Sequence, residues 1–191
     1  MEADEQVERR GSVWQTLRRI ASTLDRLGIR YAVLGGVAVQ HYGVLRSTQG
    51  VDLLVSATDL RMIHSRLVGH GYVQKSPGSR HLRDEVTRVR LAFLVSGDYP
   101  GDGRPKPVVF PLPAGVAERD EEGISFVNSI TLIELKLDSA QSAAHRMRDR
   151  AIVHELIHLL KLPADFAEQL NPYVRDEFRA RGALPSPDTE D

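Results

Sequence analysis

From Val13 to Leu27 the apolar residues fall at Val13, Leu17, Ile20, Leu24 and Leu27, with Arg18, Arg19 and Arg26 between them. Spacings of three and four predict an amphipathic helix, which Gly28 closes. The period then changes. Ile29 to Leu34 and Val51 to Val55 are short apolar runs and read as buried strands. Between them Gly35 and Gly36 open a short helical pattern that ends near Gly43. Thr58 is the expected N-cap of a helix carrying Leu60, Ile63, Leu67 and Val68. Farther on, Val89, Leu91, Phe93 and Val95 alternate with Arg88, Arg90, Ala92 and Leu94, which predicts a strand over 86–95. Shorter strands are expected at Tyr72–Lys75, Val108–Phe110 and Ile124–Val127. The remainder reads as helices over 129–138, 143–161 and 164–181, the last broken at Asn171-Pro172.

These elements imply an α/β (α+β) chain with a mixed sheet flanked by helices. Residues 13–128 form its core, 1–12 a charged and loosely ordered lead, 129–181 a C-terminal helical segment and 182–191 a polar tail. A chain of 191 residues is long enough to bury a sizeable core. Its formal net charge of −1 gives no global pull toward nucleic acid or a membrane surface, and aromatic residues are too sparse for a base-stacking platform. The absence of cysteine excludes disulfides and thiolate metal sites. With no signal peptide and no apolar run of transmembrane length, the expected location is the cytoplasm.

Two stretches carry candidate chemistry. In the first, a glycine pair lies between a strand and a helix, followed by Arg46, Thr48 and a strand bearing Asp52. Glycines let a ligand approach the backbone, exposed amides suit an anion, and a carboxylate beside them suits a metal. Each residue also has a plainer reading: Gly35-Gly36 as a tight turn, Arg46 as a surface charge, Asp52 as a strand-end residue. The second stretch is His154-Glu155-Leu156-Ile157-His158, which has the H-E-x-x-H spacing of zinc hydrolases, with Glu155 as general base. The apolar stripe of that helix runs through Ile152, Val153, Leu156, Ile157, Leu159 and Leu160. This places His154 and His158 with Arg150 and Lys161 on a solvent face and makes the zinc reading the lesser alternative. Ser96–Pro107, rich in glycine and proline with single charges between, is expected to be an ordered loop.

In its first stretch the chain resembles the nucleotidyltransferase superfamily, the fold of DNA polymerase beta and the kanamycin nucleotidyltransferases, and in particular small bacterial members from toxin–antitoxin and abortive-infection systems. The resemblance rests on Gly35, Gly36, Gly43, Arg46, Thr48 and Asp52. The 97–107 loop, Leu132–Leu137 and Arg148-Asp149 extend it over most of the chain. It implies a nucleoside triphosphate substrate, magnesium as cofactor and Asp52 as catalytic metal ligand. Such transfer uses two divalent ions held by carboxylates on adjacent strands. Here the first acid of the pair is replaced by Gly50, and the neighbouring strand offers Ala92. Two further positions that are often acidic hold Leu112 and Ile152. The resemblance therefore implies a degenerate enzyme that keeps a nucleotide cleft lined by Gly35, Gly36, Arg46, Thr48, Arg90 and Lys136. The alternatives are an active magnesium-dependent transferase using Asp84, Glu85 or Asp98, and a protein-binding role as half of a toxin–antitoxin pair.

Overall fold

A computed structural model describes residues 11–142 and 147–186. The expectations for the first ten residues, the start of the second C-terminal helix and the last five residues lie outside that range. Helix α1 (Ser12–Arg26) buries Trp14, Leu17, Ile20 and Leu24 as its periodicity requires. Strand β1 (Ala32–Leu34) leads directly into α2 (Gly35–His41), and β2 (Gly50–Val55) returns antiparallel to β1. Helix α3 (Ala57–Leu67) follows. Its cap is Ser56 and not Thr58: the Ser56 hydroxyl accepts the Asp59 amide at 3.0 Å and donates to the Asp59 carboxylate at 2.6 Å. The serine hydroxyl thus holds both the amide and the carboxylate of Asp59, and it outcompetes a threonine already inside the first turn.

Strands β3 (Tyr72–Gln74), β4 (His81–Asp84) and β5 (Arg90–Val95) form an antiparallel meander. The single long strand expected over 86–95 is therefore shorter, and Arg88 is off it. Asp84, wholly buried, interrupts the extended chain: its Oδ1 accepts the amides of Val86 and Thr87 at 2.8 and 3.0 Å and an Arg19 guanidinium N–H at 3.3 Å. That clasp turns the backbone and leaves Arg88 with φ of 64°. Sequence pattern missed β4 because only Leu82 in it is apolar. Likewise β6 (Ala117–Arg119) was missed, and Val108–Phe110 forms no strand; β6 pairs with β7 (Ser125–Val127) where the apolar run does continue. The acidic 120–122 turn between them is tied down, with Glu122 bonded to Arg18 at 2.6 Å.

The seven strands form one mixed sheet in the order β3-β4-β5-β2-β1-β7-β6, with β2–β5 and β1–β7 parallel. Helices α1 and α3 cover one face, where Trp14 meets Phe126 at 6.4 Å and His64 meets Phe93 at 6.5 Å between ring centroids. Helix α4 (Ser129–Ser142), capped by Asn128 through the Thr131 amide at 2.9 Å, lies over the other. It runs one turn farther than the sequence pattern indicated. Helix α5 (Met147–Leu159) packs on α4 and on α6 (Arg175–Gly182). Between α5 and α6 the expected helix is instead two short 3-10 segments, Ala164–Gln169 and Pro172–Val174. Proline at 172 cannot continue a helix, and the Asn171 side chain caps the new turn through the Tyr173 amide at 3.0 Å. Among the described residues no helix is long and apolar enough to cross a membrane.

Removing the Asp84 carboxylate leaves two amides and Arg19 without their acceptor. Asp84→Ala is expected to cost about 3 kcal/mol, in the range for breaking a buried polar clasp. Urea unfolding measures this, and a loss below ~1 kcal/mol would mean that the turn is held by its backbone alone.

Candidate nucleotide-binding cleft

The sheet face under α4 opens into a cavity of about 500 Å³. Its floor is set by strand register. Leu34 on β1 stands opposite Asp52 on β2, and Asp52 stands opposite Ala92 on β5. Because neighbouring residues across a ladder share a face, Leu34, Asp52 and Ala92 all point into the same space. Gly50 and Arg90 form the next pair on that face. Helix α4 supplies Leu132, Leu135, Lys136 and Ser139, and the 96–107 loop supplies Tyr99 to Gly101. That loop is held to the body of the protein by Lys106. Lys106 Nζ bonds the Pro100 carbonyl at 2.7 Å and Asp102 at 2.8 Å, and lies 3.4 Å from buried Asp138 on α4. The Lys106 bond also holds the Asp102 carboxyl below its usual range.

Six of the seven residues singled out in the sequence line this one cavity: Gly35, Gly36, Arg46, Asp52, Arg90 and Lys136. Thr48 stands behind it. Its hydroxyl donates to the Gly50 carbonyl at 3.2 Å, and a Cβ on Gly36 would come within 2.7 Å of it. Gly35 has φ of 65°, and a Cβ there would lie 1.9 Å from Asp52 Oδ2. The first glycine is thus required twice over, by backbone conformation and by the carboxylate pressed against it. Arg46 is placed by a chain of bonds that the sequence did not suggest. Trp14 Nε1 donates to Gln40 Oε1 at 3.1 Å, and Gln40 Nε2 donates to the Arg46 carbonyl at 2.5 Å. Arg46 Nε is buried without a hydrogen-bond partner.

The electrostatics of the cleft are dominated by cations. Burial pushes the Asp52 carboxyl above its ordinary value, against the opposing pull of Arg90, Lys136 and His81. Burial likewise holds the His81 imidazole below its ordinary value, reinforced by Arg90 and opposed by Asp52. Lys136 is not a solvated surface lysine: only 15% exposed, it pairs with Asp149 of α5 at 2.7 Å. His81, Tyr99 and Asp149 were not assigned roles from the sequence. His81 lies on the unrecognised strand β4. Asp149 carried a signal, since Arg148-Asp149 is part of the quoted resemblance.

The other candidate acids lie elsewhere. Asp84 is the turn clasp, Glu85 is exposed beside it, and Asp98 pairs with Arg80 outside the cleft. Leu112 is exposed and Ile152 is buried in the apolar core. His154 and His158 do not face solvent as expected. Both are only partly exposed: His154 Nδ1 lies 3.0 Å from the Arg181 carbonyl of α6, and the His158 ring lies 4.6 Å from that of His154. Among the described residues no three histidine or acidic side chains come together in a way that could hold a metal ion.

The fold itself has a solved counterpart. The structure is similar to that of ANT(2")-Ia, an aminoglycoside nucleotidyltransferase solved in complex with adenylyl-2"-tobramycin. The TM-score is 0.55 and the sequence identity 13%, and the match covers 88% of this chain and 98% of that one. The fold is therefore nucleotidyltransferase-like. No protein-family profile matches the chain, and no curated protein matches it either.

Two outcomes test this geometry. Gly35→Ala is expected to lower stability by about 2 kcal/mol more than Gly28→Ala, because Gly28 has nearly the same φ of 67° but open space around it. Thermal unfolding of both variants separates the clash from the backbone effect. The raised Asp52 carboxyl makes a second statement, since an acid raised by folding favours the folded state while protonated. That stability is complete below the ordinary value of 3.8 and is lost as pH rises through the folded-state value. Asp52→Asn is therefore expected to raise the melting temperature at neutral pH, with the gain vanishing below pH 3.8. A gain that persisted in acid would assign the effect to packing.

Proposed function

We propose that this cleft binds the triphosphate of a nucleotide through arginine and lysine side chains in place of a pair of divalent ions, in a nucleotidyltransferase-like protein whose metal-dependent transfer is weak or lost. The observation that carries this reading is the charge of the Gly50–Arg90 pair. A Cβ on Gly50 would lie 2.9 Å from the Arg90 carbonyl and 3.7 Å from Arg90 Nε. The arginine therefore fills the space next to the position where the resembled enzymes carry their first acid. The donor set does not suit two magnesium ions, which require several hard oxygen ligands. Asp52 is the one carboxylate on the floor, Ala92 offers no ligand, and Asp149 is engaged by Lys136. Guanidinium groups bind phosphate oxygens by paired N–H donors and need no metal to do so. Arg46 and Arg90 supply two such groups, and Gly35 and Gly36 keep the adjoining wall free of side chains. The neighbour ANT(2")-Ia, bound to an adenylylated ligand, supports the choice of a nucleotide.

Calorimetric titration with the four nucleoside triphosphates, with and without magnesium, tests this. Binding is expected without metal, weakened about tenfold or more in Arg90→Ala, as befits a lost charge-assisted hydrogen bond, and undiminished in Asp52→Ala. Binding that required magnesium and disappeared in Asp52→Ala would establish the metal-dependent transferase instead.

A further inference from the structure

Beside the cleft, on the same sheet face, lies a second cavity of about 580 Å³. It shares His81 and Arg90 with the first, and its other charged side chains are Lys75, Arg83 and Arg88. No carboxylate lines it. This concentration of positive charge stands out in a chain of net charge −1. None of Lys75, Arg83, Arg88 and Arg90 is neutralised by an ion pair among the described residues.

Two features of the backbone make the charge more than an accident of the surface. Arg83 on β4 and Arg90 on β5 are direct register partners. Like charges at that position repel and destabilise a strand pair, unless an anion between them reverses the sign. Arg88 has φ of 64°, a conformation that costs a non-glycine residue roughly 1–2 kcal/mol. The Asp84 clasp enforces it, with the Arg88 amide donating to the Asp84 carbonyl at 3.0 Å. Glycine is the relaxed choice there, yet the turn holds an arginine over the groove.

From this juxtaposition we infer that the β3–β4–β5 groove is a binding site for phosphate groups of a second ligand, one that carries at least two of them. Arg83 and Gly50 are two strand spacings apart, on the order of 10 Å, so one such ligand reaches from the groove to Arg90 at the cleft wall. Identifying it as the second substrate of the cleft rests on the nucleotide reading above; the binding of phosphate in the groove does not.

The test uses the full chain and the double variant Arg83→Ala/Arg88→Gly. Neither side chain belongs to the cleft, and glycine at 88 relieves strain, so the variant is expected to fold at least as well there. Two probes separate the sources of phosphate: a 5′-phosphorylated single-stranded RNA oligonucleotide followed by fluorescence anisotropy, and a sugar bisphosphate followed by calorimetry. At least one is expected to bind, and the double variant is expected to weaken that binding tenfold or more. Binding of only the oligonucleotide would point to a nucleic-acid ligand, and binding of only the bisphosphate to a small metabolite. Titration of ATP into both proteins runs alongside, with less than a twofold difference expected. Failure of both probes with the wild type, or equal binding by the variant, overturns the groove whatever ATP does. Absence of ATP binding to the wild type while a groove probe still binds would fail the nucleotide reading and leave the groove standing.

Discussion

The contact of the Asp52 carboxylate with a backbone that has no Cβ governs the rest of this structure. Gly35 must adopt a left-handed conformation to turn β1 into α2, and the same residue must leave room for Asp52 Oδ2. Both demands follow from the antiparallel pairing of Leu34 with Asp52, because that register aims the carboxylate at the start of the helix. A one-residue slip would send Asp52 to the opposite face, among Phe93 and Phe126, where nothing could pair with it. Register, turn and cleft floor are one constraint expressed three times.

Around that constraint the cleft floor carries one carboxylate, Asp52, among the cations Arg46, Arg90 and Lys136. Gly50 lacks a side chain, and Arg90, its partner on β5, extends into the room that this leaves. The arrangement is self-consistent in space: a side chain at 50 would meet the Arg90 backbone, so the two positions are coupled. The partly buried Lys136–Asp149 pair links α4 to α5 at the cleft rim. Such a pair adds little net stability, since desolvation offsets the attraction, but it fixes where the ammonium sits. The positive face then continues outward through Arg83 and Arg88 to the sheet edge.

Much of this was legible in the residues. The helical period of α1, the strand–glycine–helix–strand succession from Ile29 to Val55 and the position of Arg90 on β5 all followed from local pattern. The two short strands β4 and β6 were not legible, since one apolar residue per strand carries no periodic signal and their pairing is long-range. Ser56 took the cap from Thr58 through a reciprocal bond with Asp59 that spacing allowed but did not single out. The H-E-x-x-H stretch misled about its surroundings, because α6 arrives from later in the chain and meets His154 through the Arg181 carbonyl.

Sequence by itself thus determined the local choices: where glycine must stand, which faces are apolar, and that positions 50 and 92 hold Gly50 and Ala92, which bring no carboxylate. Those choices depend on residue chemistry and on neighbours a few positions away. Tertiary structure alone decided which charges meet. Arg90 beside Gly50, Asp149 on Lys136, Asp84 beneath Arg19, and Arg83 opposite Arg90 each join residues whose proximity is set by strand register or helix packing, and no local pattern encodes those distances.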